Sequence, residues 1–250
     1  MKKNLVIVFV LLSSIGFSQS AEELFSNANK LFQQEKYEAA IDQYKLIEEL
    51  QLQSDELFFN LGNAYYKLNK VAPAIYYFEK SLKLNPSNAD AKINLAFANR
   101  MTIDAIDVLP KTIFQDFSEA VIYKLRYETW AKMAIVFSFF GAIIFLLYHF
   151  SYSSRKKLLY FNVSILSIFL LIVSLAFAFK SYDYQVNRTE AIIFKQTTEI
   201  KNAPTLNSDT VFKLHEGTKV IVLDEIDDWK KIKLADGKIG WLIADYMKEI

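Results

Sequence analysis

The chain has 250 residues, a formal net charge of +1 and 52% hydrophobic residues. A near-neutral chain without a basic stripe gives no electrostatic reason to expect nucleic-acid binding. It contains no cysteine, which excludes disulfides, thiolate metal sites, cysteine nucleophiles and a lipoprotein anchor.

The first residues, 1–20, have the layout of a secretory signal peptide. Lys2 and Lys3 precede a short apolar core, Leu5–Leu12, and small residues follow. Cleavage after Ser18 and cleavage after Ser20 fit equally well, and an uncleaved anchor is the alternative. In each case we expect residues 21–132 to lie outside the cytoplasm.

Residues 21–102 carry an internal repeat. A shift of 34 residues superposes Ala28 on Gly62 and Tyr44 on Phe78. Apolar residues recur at spacings of three and four, which predicts helices, and polar breaks divide each unit into two. We therefore predict repeat units at 21–54 and 55–88, followed by a capping helix.

The second unit resembles a tetratricopeptide repeat, because its small and aromatic residues occur at that family's spacing: Gly62, Tyr65, Ala74, Phe78 and Pro86. The first unit matches less fully. The resemblance implies an all-α solenoid whose concave face binds a peptide or protein partner and is lined by the first helix of each unit. The inward positions it implies are Phe25, Asn29, Phe32, Phe59, Asn63 and Tyr66.

Asn29 and Asn63 occupy equivalent positions, and an asparagine side chain both donates and accepts hydrogen bonds. Such residues can hold the backbone of an extended peptide, with the neighbouring aromatic rings adding apolar contact. The alternative is that Phe25 and Phe59 only pack against neighbouring helices. The cationic clamp of carboxylate-binding relatives is not evident, so a free C-terminal carboxylate is not specially favoured.

Residues 103–132 form a juxtamembrane amphipathic segment. Pro110 breaks it, and apolar residues then recur at roughly helical spacing opposite a charged face. Such a helix either lies in the membrane interface or caps the solenoid, and the sequence leaves both open. Tyr123, Tyr127 and Trp130 stand where aromatic residues prefer the lipid headgroups.

Two apolar runs, 133–152 and 158–179, contain no acid or basic side chain apart from His149. Each is about 20 residues long, which matches the ~30 Å hydrocarbon core of a bilayer. We predict a transmembrane hairpin, the alternative being two buried helices of a globular core. The loop 153–157 carries Arg155, Lys156 and Lys157, so we expect it in the cytoplasm and both soluble parts outside.

Residues 187–250 change to a period of two, with turn signals at His215-Glu216-Gly217 and Asp236-Gly237. Five or so short strands predict a small closed barrel. The stretches Leu214–Thr218, Asp228-Trp229 and Asp236–Leu242 look like a bacterial SH3-like domain. That resemblance implies protein contacts or, in some members, cell-wall peptides. Trp229 and Trp241 then either pack the barrel or flank a shallow ligand groove.

No motif of enzyme chemistry occurs. The six glycines are scattered, and no G-x-S-x-G or H-E-x-x-H is present. His215 lacks a second histidine, a cysteine or a convergent acid for metal binding, and the two histidines fall on opposite sides of the expected topology. We therefore predict a protein that is not an enzyme and has no cofactor or metal.

The order of these parts resembles the BatE family of Bacteroides aerotolerance proteins. This implies an inner-membrane protein of Bacteroidetes with periplasmic modules, working beside Bat-type von Willebrand A-domain membrane proteins in an envelope system. One hypothesis is a membrane-anchored scaffold that binds proteins through the repeat groove. The other is a peptidoglycan sensor acting through the SH3-like domain.

Overall fold

The computed structural model describes residues 21–107 and 109–250, so the predicted signal peptide lies outside the described residues. Contacts divide the chain into two compact units. One unit joins the helices that precede residue 108 to the C-terminal segment Glu190–Ile250, and the other is Leu109–Thr189.

The first unit begins with five helices, which confirm the predicted helical repeat region. In chain order they are α1 (21–33), α2 (Tyr37–Glu49), α3 (Asp55–Lys67), α4 (Val71–Leu84) and α5 (Ala89–Asn99). The side chains of Ser54 and Asn88 cap α3 and α5 by accepting backbone N–H groups of the first turn. Polar caps therefore set where two of these helices start.

Small residues lie where the helices approach most closely. A Cβ added at Gly62 would lie 2.6 Å from the ring of Phe78, which is itself fully buried. Ala40 and Ala74 are also fully buried. The spacing that identifies the repeat in the sequence is thus the spacing of its tightest helix contacts.

The second unit contains a short helix, α6 (Ile113–Phe117), a π-helical turn (Ser118–Ile122), two long helices, α7 (Tyr127–Phe150) and α8 (Ser154–Tyr182), and a second π-helical turn (Asp183–Asn187). The two long helices are apolar and largely exposed, with mean hydropathy 2.2 and 2.4, and are long enough to cross a membrane. The reversal between them is shorter than predicted. It occupies residues 151–153, and Arg155 lies in the first turn of α8.

Serines of α8 line its contact with α7. Ser167 donates a hydrogen bond to the Phe137 carbonyl at 2.7 Å, and a Cβ at Gly141 would lie 3.2 Å from the Ser167 hydroxyl. Ser164, Ser174 and Ser181 are buried as well. These small polar residues thus let the two apolar helices pack closely, and Ser167 adds a hydrogen bond between them.

The segment preceding α7 packs within this unit. The Trp130 indole donates to the Ile122 carbonyl at 3.0 Å, and Lys180 donates to the Ser118 hydroxyl at 2.8 Å. Ile113 and Phe114 remain strongly exposed. The segment therefore shares a compact unit with the apolar helices and presents an apolar face of its own, as an interfacial helix would.

The C-terminal segment forms an antiparallel sheet of seven strands, two more than the sequence indicated. Its strands are β1 (Glu190–Ile193), β2 (Thr197–Lys201), β3 (Thr210–His215), β4 (Lys219–Ile226), β5 (Trp229–Lys233), β6 (Ile239–Ile243) and β7 (Met247–Glu249). They are ordered β3-β2-β6-β5-β4-β1-β7, and a 3₁₀ turn, Ala244–Tyr246, precedes β7. The small β-fold expected at this end of the chain is confirmed.

The helical repeats and the sheet share a core, which the sequence does not indicate. Ile192 of β1 is fully buried in the same apolar cluster as Ala72 and Ile75 of α4. Gly217, with φ of 88°, turns the chain so closely past Thr102 that a Cβ there would lie 2.9 Å from its methyl group. The first unit is thus one packed body built from both ends of the chain.

Candidate functional site

One groove in the first unit lies beside α1. Its volume is about 770 Å³, within the range of ligand pockets in proteins. Its walls are the exposed side of α1, the start of α3 and the connection between α2 and α3. The lining residues are Ala21, Glu22, Phe25, Ser26, Asn29, Lys30, Gln33, Ile47, Leu52, Gln53, Ser54, Glu56 and Leu57.

Two of the six predicted groove residues, Phe25 and Asn29, line this cavity. The other four lie elsewhere along the same helices and are half-buried: Phe32, Phe59, Asn63 and Tyr66. Phe59 packs against Phe78 with ring centroids 6.1 Å apart, and even Phe25 also contacts Tyr44. Phe25 and Phe59 of the predicted set therefore pack against neighbouring helices, and only Phe25 also lines the groove.

The equivalent asparagines connect successive repeats. The Asn29 side-chain oxygen Oδ1 accepts hydrogen bonds from Tyr44 and from Asn60, and Oδ1 of Asn63 accepts one from Asn94 at 2.7 Å. Burial raises the pKa of Tyr44 to about 12, so its hydroxyl keeps its proton and donates. Among the described residues no hydrogen bond engages the Asn29 amide nitrogen, which leaves that group as a donor beside the groove.

Sequence reasoning missed the far wall of the groove. Leu52 lies in the connection between α2 and α3 and is 43% exposed, while Ile47 and Leu57 are buried behind it. Glu22, Lys30 and Glu56 are exposed at the rim. A leucine between two glutamines, two residues before the helix cap Ser54, was the sequence signal that could have identified this wall.

A second groove, of about 270 Å³, crosses the sheet. Trp229, Leu206 and Tyr246 line it together with charged residues of β2, and the Lys195 ammonium lies 3.5 Å from the centroid of the Tyr246 ring. Trp241 is only 8% exposed and is not among the residues that line this groove. The two predicted tryptophans therefore take different positions, Trp229 on the groove and Trp241 buried in β6.

A charged cluster joins α4 to the sheet. Lys219 lies 2.9 Å from a Glu79 oxygen and 2.6 Å from a Glu190 oxygen. Burial disfavours the ammonium ion, but the two carboxylates outweigh burial and raise the pKa of Lys219. Lys219 thus pairs with a carboxylate of α4 and a carboxylate of β1, as expected of a structural contact.

Asp104, which follows α5, makes a second polar contact with the sheet. It accepts hydrogen bonds from the His215 backbone at 2.7 Å and from the Thr218 hydroxyl at 2.6 Å, and the His215 ring nitrogen Nδ1 lies 2.7 Å from its other oxygen. Burial opposes ionisation, yet these donors lower the pKa of Asp104. His215 is thereby engaged in holding the first unit together.

The described residues bring together no group of three or more histidine, aspartate or glutamate side chains able to hold a metal ion. Neither groove pairs a nucleophilic side chain with a histidine. What the arrangement offers is binding surface: an apolar groove with a polar rim on the repeats, and a smaller aromatic groove on the sheet.

Comparison with known proteins agrees with this description in two segments. The tetratricopeptide repeat family model matches residues 56–88, and the bacterial SH3 domain family model matches residues 197–248. No curated protein matches the chain. Both matching families are typically non-catalytic interaction modules, so the chain combines two parts suited to binding proteins or cell-wall material.

Proposed function

We propose that this protein is a non-catalytic, membrane-anchored adaptor that binds an extended segment of a partner protein in the α1–α3 groove. The observation that supports this is the groove of about 770 Å³ with Phe25, Asn29 and Leu52 on its walls. Its apolar walls suit one or two apolar side chains of a bound segment. The Asn29 amide supplies a directed donor for that segment's backbone.

The charges at the rim indicate which partner segments fit. Glu22 and Lys30 of α1 and Glu56 of α3 line the rim of the groove. Two acids and one base favour a segment with an apolar anchor and a neighbouring basic residue over an acidic tail. The resemblance to the BatE family suggests that this segment belongs to a Bat-type von Willebrand A-domain membrane protein of the envelope.

The test is crosslinking in native membranes, followed by identification of what co-purifies with the full chain. Leu52→Glu should abolish recovery of the partner, because it places a charge on the apolar wall. Leu46→Glu is the matched control, since Leu46 is 42% exposed but does not line the groove. Equal partner recovery from the two variants would reject this groove.

Leu52→Glu is a sharper probe than replacement of Asn29 and Asn63 by alanine. Those asparagines accept hydrogen bonds from Tyr44, Asn60 and Asn94. Their removal would leave one buried and two half-buried donors unpaired and destabilise the repeats themselves. A loss of partner binding in that double variant would then have two explanations.

For the membrane anchor we propose that α7 and α8 cross the inner membrane, with Arg155–Lys157 in the cytoplasm and both soluble modules in the periplasm. Support comes from the length, hydropathy and exposure of the two helices and from their basic inner end. Because the chain has no cysteine, single replacements report topology cleanly. Leu206→Cys should react with an impermeant maleimide in intact spheroplasts and Ser153→Cys should not; the reverse pattern would overturn this orientation.

A second candidate function rests on the groove of the sheet. Trp229 and Tyr246 form an aromatic surface beside Lys201 and Glu199, a combination that suits a cell-wall peptide bearing both amine and carboxylate groups. Cosedimentation of the detergent-solubilised full chain with purified peptidoglycan tests this. Retention that Trp229→Ala abolishes would support wall binding, and absence of retention would count against it.

A further inference from the structure

Helix α5 is the first helix of a third repeat unit whose second helix is absent from the described chain. Asn94 donates to Asn63 just as Asn60 donates to Asn29, so α5 occupies the place of α1 and α3 in the next unit. Ala98 is buried in the apolar cluster of the preceding repeat helices, and Ala91 is buried as well. The described residues between 101 and 112 form no helix, and the outer side of α5 is exposed at Ile93 and Phe97.

That outer side carries a compact pattern of four residues. Asp90, Ile93, Phe97 and Arg100 follow one another at spacings of three, four and three, which places them in one line along a helix. Ile93 is 54% exposed and Phe97 is 46% exposed. We call this line the α5 seam. The helix dipole accounts for an acid near the start and a base at the end of α5, but not for two large exposed apolar side chains between them.

The α5 seam runs acid, apolar, apolar, base along the helix. In the opposite direction it runs base, apolar, apolar, acid, so each position of an antiparallel copy complements the position that it faces. If two such helices lie antiparallel, Ile93 of each faces Phe97 of the other, and Asp90 of each faces Arg100 of the other. Ala96 beside the seam is small enough for the helices to approach closely. A parallel pairing would instead bring like charges together at both ends.

We propose that the α5 seam is a self-association surface, which pairs with the α5 seam of a second copy of this chain around a two-fold axis. The self-complementary order of charge and apolar residues is what selects a second copy as the occupant. The seam lies on α5, whereas the proposed partner groove lies on α1 and α3. The proposal therefore does not depend on the groove.

The contact is small, which shapes how it must be tested. An 11-residue helix contributes much less than the roughly 1,200–2,000 Å² that stable complexes bury. Two chains held in one bilayer meet at a raised effective concentration, which favours such a weak contact. Association should accordingly be measured in native membranes with the full chain.

Two single-cysteine variants test the antiparallel geometry. When Asp90→Cys and Arg100→Cys chains with different tags are co-expressed, mild oxidation should yield a disulfide-linked pair of the two. The Asp90→Cys chain retains its Arg100 and the Arg100→Cys chain retains its Asp90, so the second Asp90–Arg100 contact of this pair stays intact. Each variant expressed alone should give little product, because identical positions in an antiparallel pair lie about 15 Å apart at 1.5 Å per residue, beyond disulfide reach.

Charge reversal provides the independent readout. Asp90→Arg should lower co-precipitation of two differently tagged chains several-fold, and adding Arg100→Asp should restore it. Crosslinking of each single-cysteine variant to itself would overturn the proposal in favour of parallel pairing. Absence of the mixed Asp90→Cys and Arg100→Cys product would also overturn it. Crosslinking only to a different protein would overturn it as well and would show that another protein covers the seam.

Discussion

Asp104 and His215 bind one another across 111 positions of sequence, and two apolar helices are inserted in the chain between them. The His215 backbone N–H and its ring nitrogen each lie 2.7 Å from an oxygen of the Asp104 carboxylate. This contact fastens the segment after α5 to the turn between β3 and β4. It is one reason why the repeats and the sheet behave as one body.

The first prediction concerns acid stability. Because the pKa of Asp104 is below its ordinary value of 3.8, the contact stabilises the fold above that pH and is lost as the pH falls through the lowered pKa. Asp104→Asn should lower the free energy of unfolding of the first unit by about 1–3 kcal/mol near neutral pH.

Unfolding of the detergent-solubilised chain, followed by tryptophan fluorescence between pH 3 and 8, measures this. The difference in the free energy of unfolding between wild type and Asp104→Asn should become smaller below pH 3.8. A difference that stays constant down to the lowest pH would show that Asp104 does not stabilise the fold through its charge.

The second prediction concerns the alkaline side. The pKa of Lys219 lies above its ordinary value of 10.5, so its stabilisation is complete below that pH and is lost as the pH rises through the raised pKa. Lys219→Gln removes the cation that contacts both the Glu79 and the Glu190 carboxylates. Since the Lys219 side chain is 36% exposed, solvent screens the cluster and we expect a loss of only about 1–2 kcal/mol.

Lys213→Gln is the control for this change, because Lys213 is 61% exposed and its ion pair with Glu199 is 3.7 Å long. It should change stability by less than about 0.5 kcal/mol. Equal effects of the two lysine replacements would contradict a special role of Lys219 between α4 and the sheet.

The third prediction concerns the closest helix contact. Gly62→Ala adds a Cβ that would lie 2.6 Å from the Phe78 ring, in a region where neighbouring residues are fully buried. Overpacking of this kind costs about 1–3 kcal/mol, which exceeds the gain of up to about 1 kcal/mol from replacing a helical glycine. The thermal midpoint of the first unit should therefore fall.

A double-mutant cycle with Phe78→Leu isolates the steric cause. The smaller side chain should relieve part of the clash, so that the double variant is less destabilised than the sum of the two single changes. Strict additivity would mean that the ring of Phe78 is not what excludes a side chain at position 62.

The fourth prediction concerns the apolar helices. Ser167→Leu removes the hydrogen bond to the Phe137 carbonyl and forces a bulky side chain against Gly141. We expect the α7–α8 contact to weaken by about 1–2 kcal/mol. Ile168→Leu is the control, because Ile168 is exposed on the other side of the helix.

Trp130, which packs within this unit, reports the change once Trp229 and Trp241 are replaced by phenylalanine. Addition of dodecyl sulfate to the micelles should separate the helices at a lower detergent fraction in Ser167→Leu than in Ile168→Leu. Coincident transitions would show that this serine contributes nothing to helix packing.

Local patterns predicted the elements of this protein well. The spacing of Gly62 and Phe78 identified the repeat, and the seven strands occur where the period of two begins. The repeat register predicts Phe25 and Asn29 as inward positions of a first helix, and both line a groove. Their role in binding a partner stays a prediction. Periodicity carries this information because it reflects which side of each element is buried.

Other parts of the site depend on neighbours that a repeat pattern does not specify. The place of Leu52 on the far wall of the groove was not predicted, since it depends on how the α2–α3 connection folds back. Nor did the pattern separate Trp229, on a groove, from Trp241, which is buried. Both tryptophans lie in strands, and only the packing of the sheet distinguishes them.

The sequence by itself determined the helices, the strands and the apolar lengths, because each follows from residues close together in the chain. Only the tertiary structure decided that Asp104, Glu79 and Ile192 join the two ends of the chain into one unit. Such contacts form between residues far apart in sequence, and they depend on complementary charge and shape that no local period encodes. The α5 seam illustrates both sources. Its spacing of four residues is visible in the sequence, whereas its exposure is known only from the folded repeats.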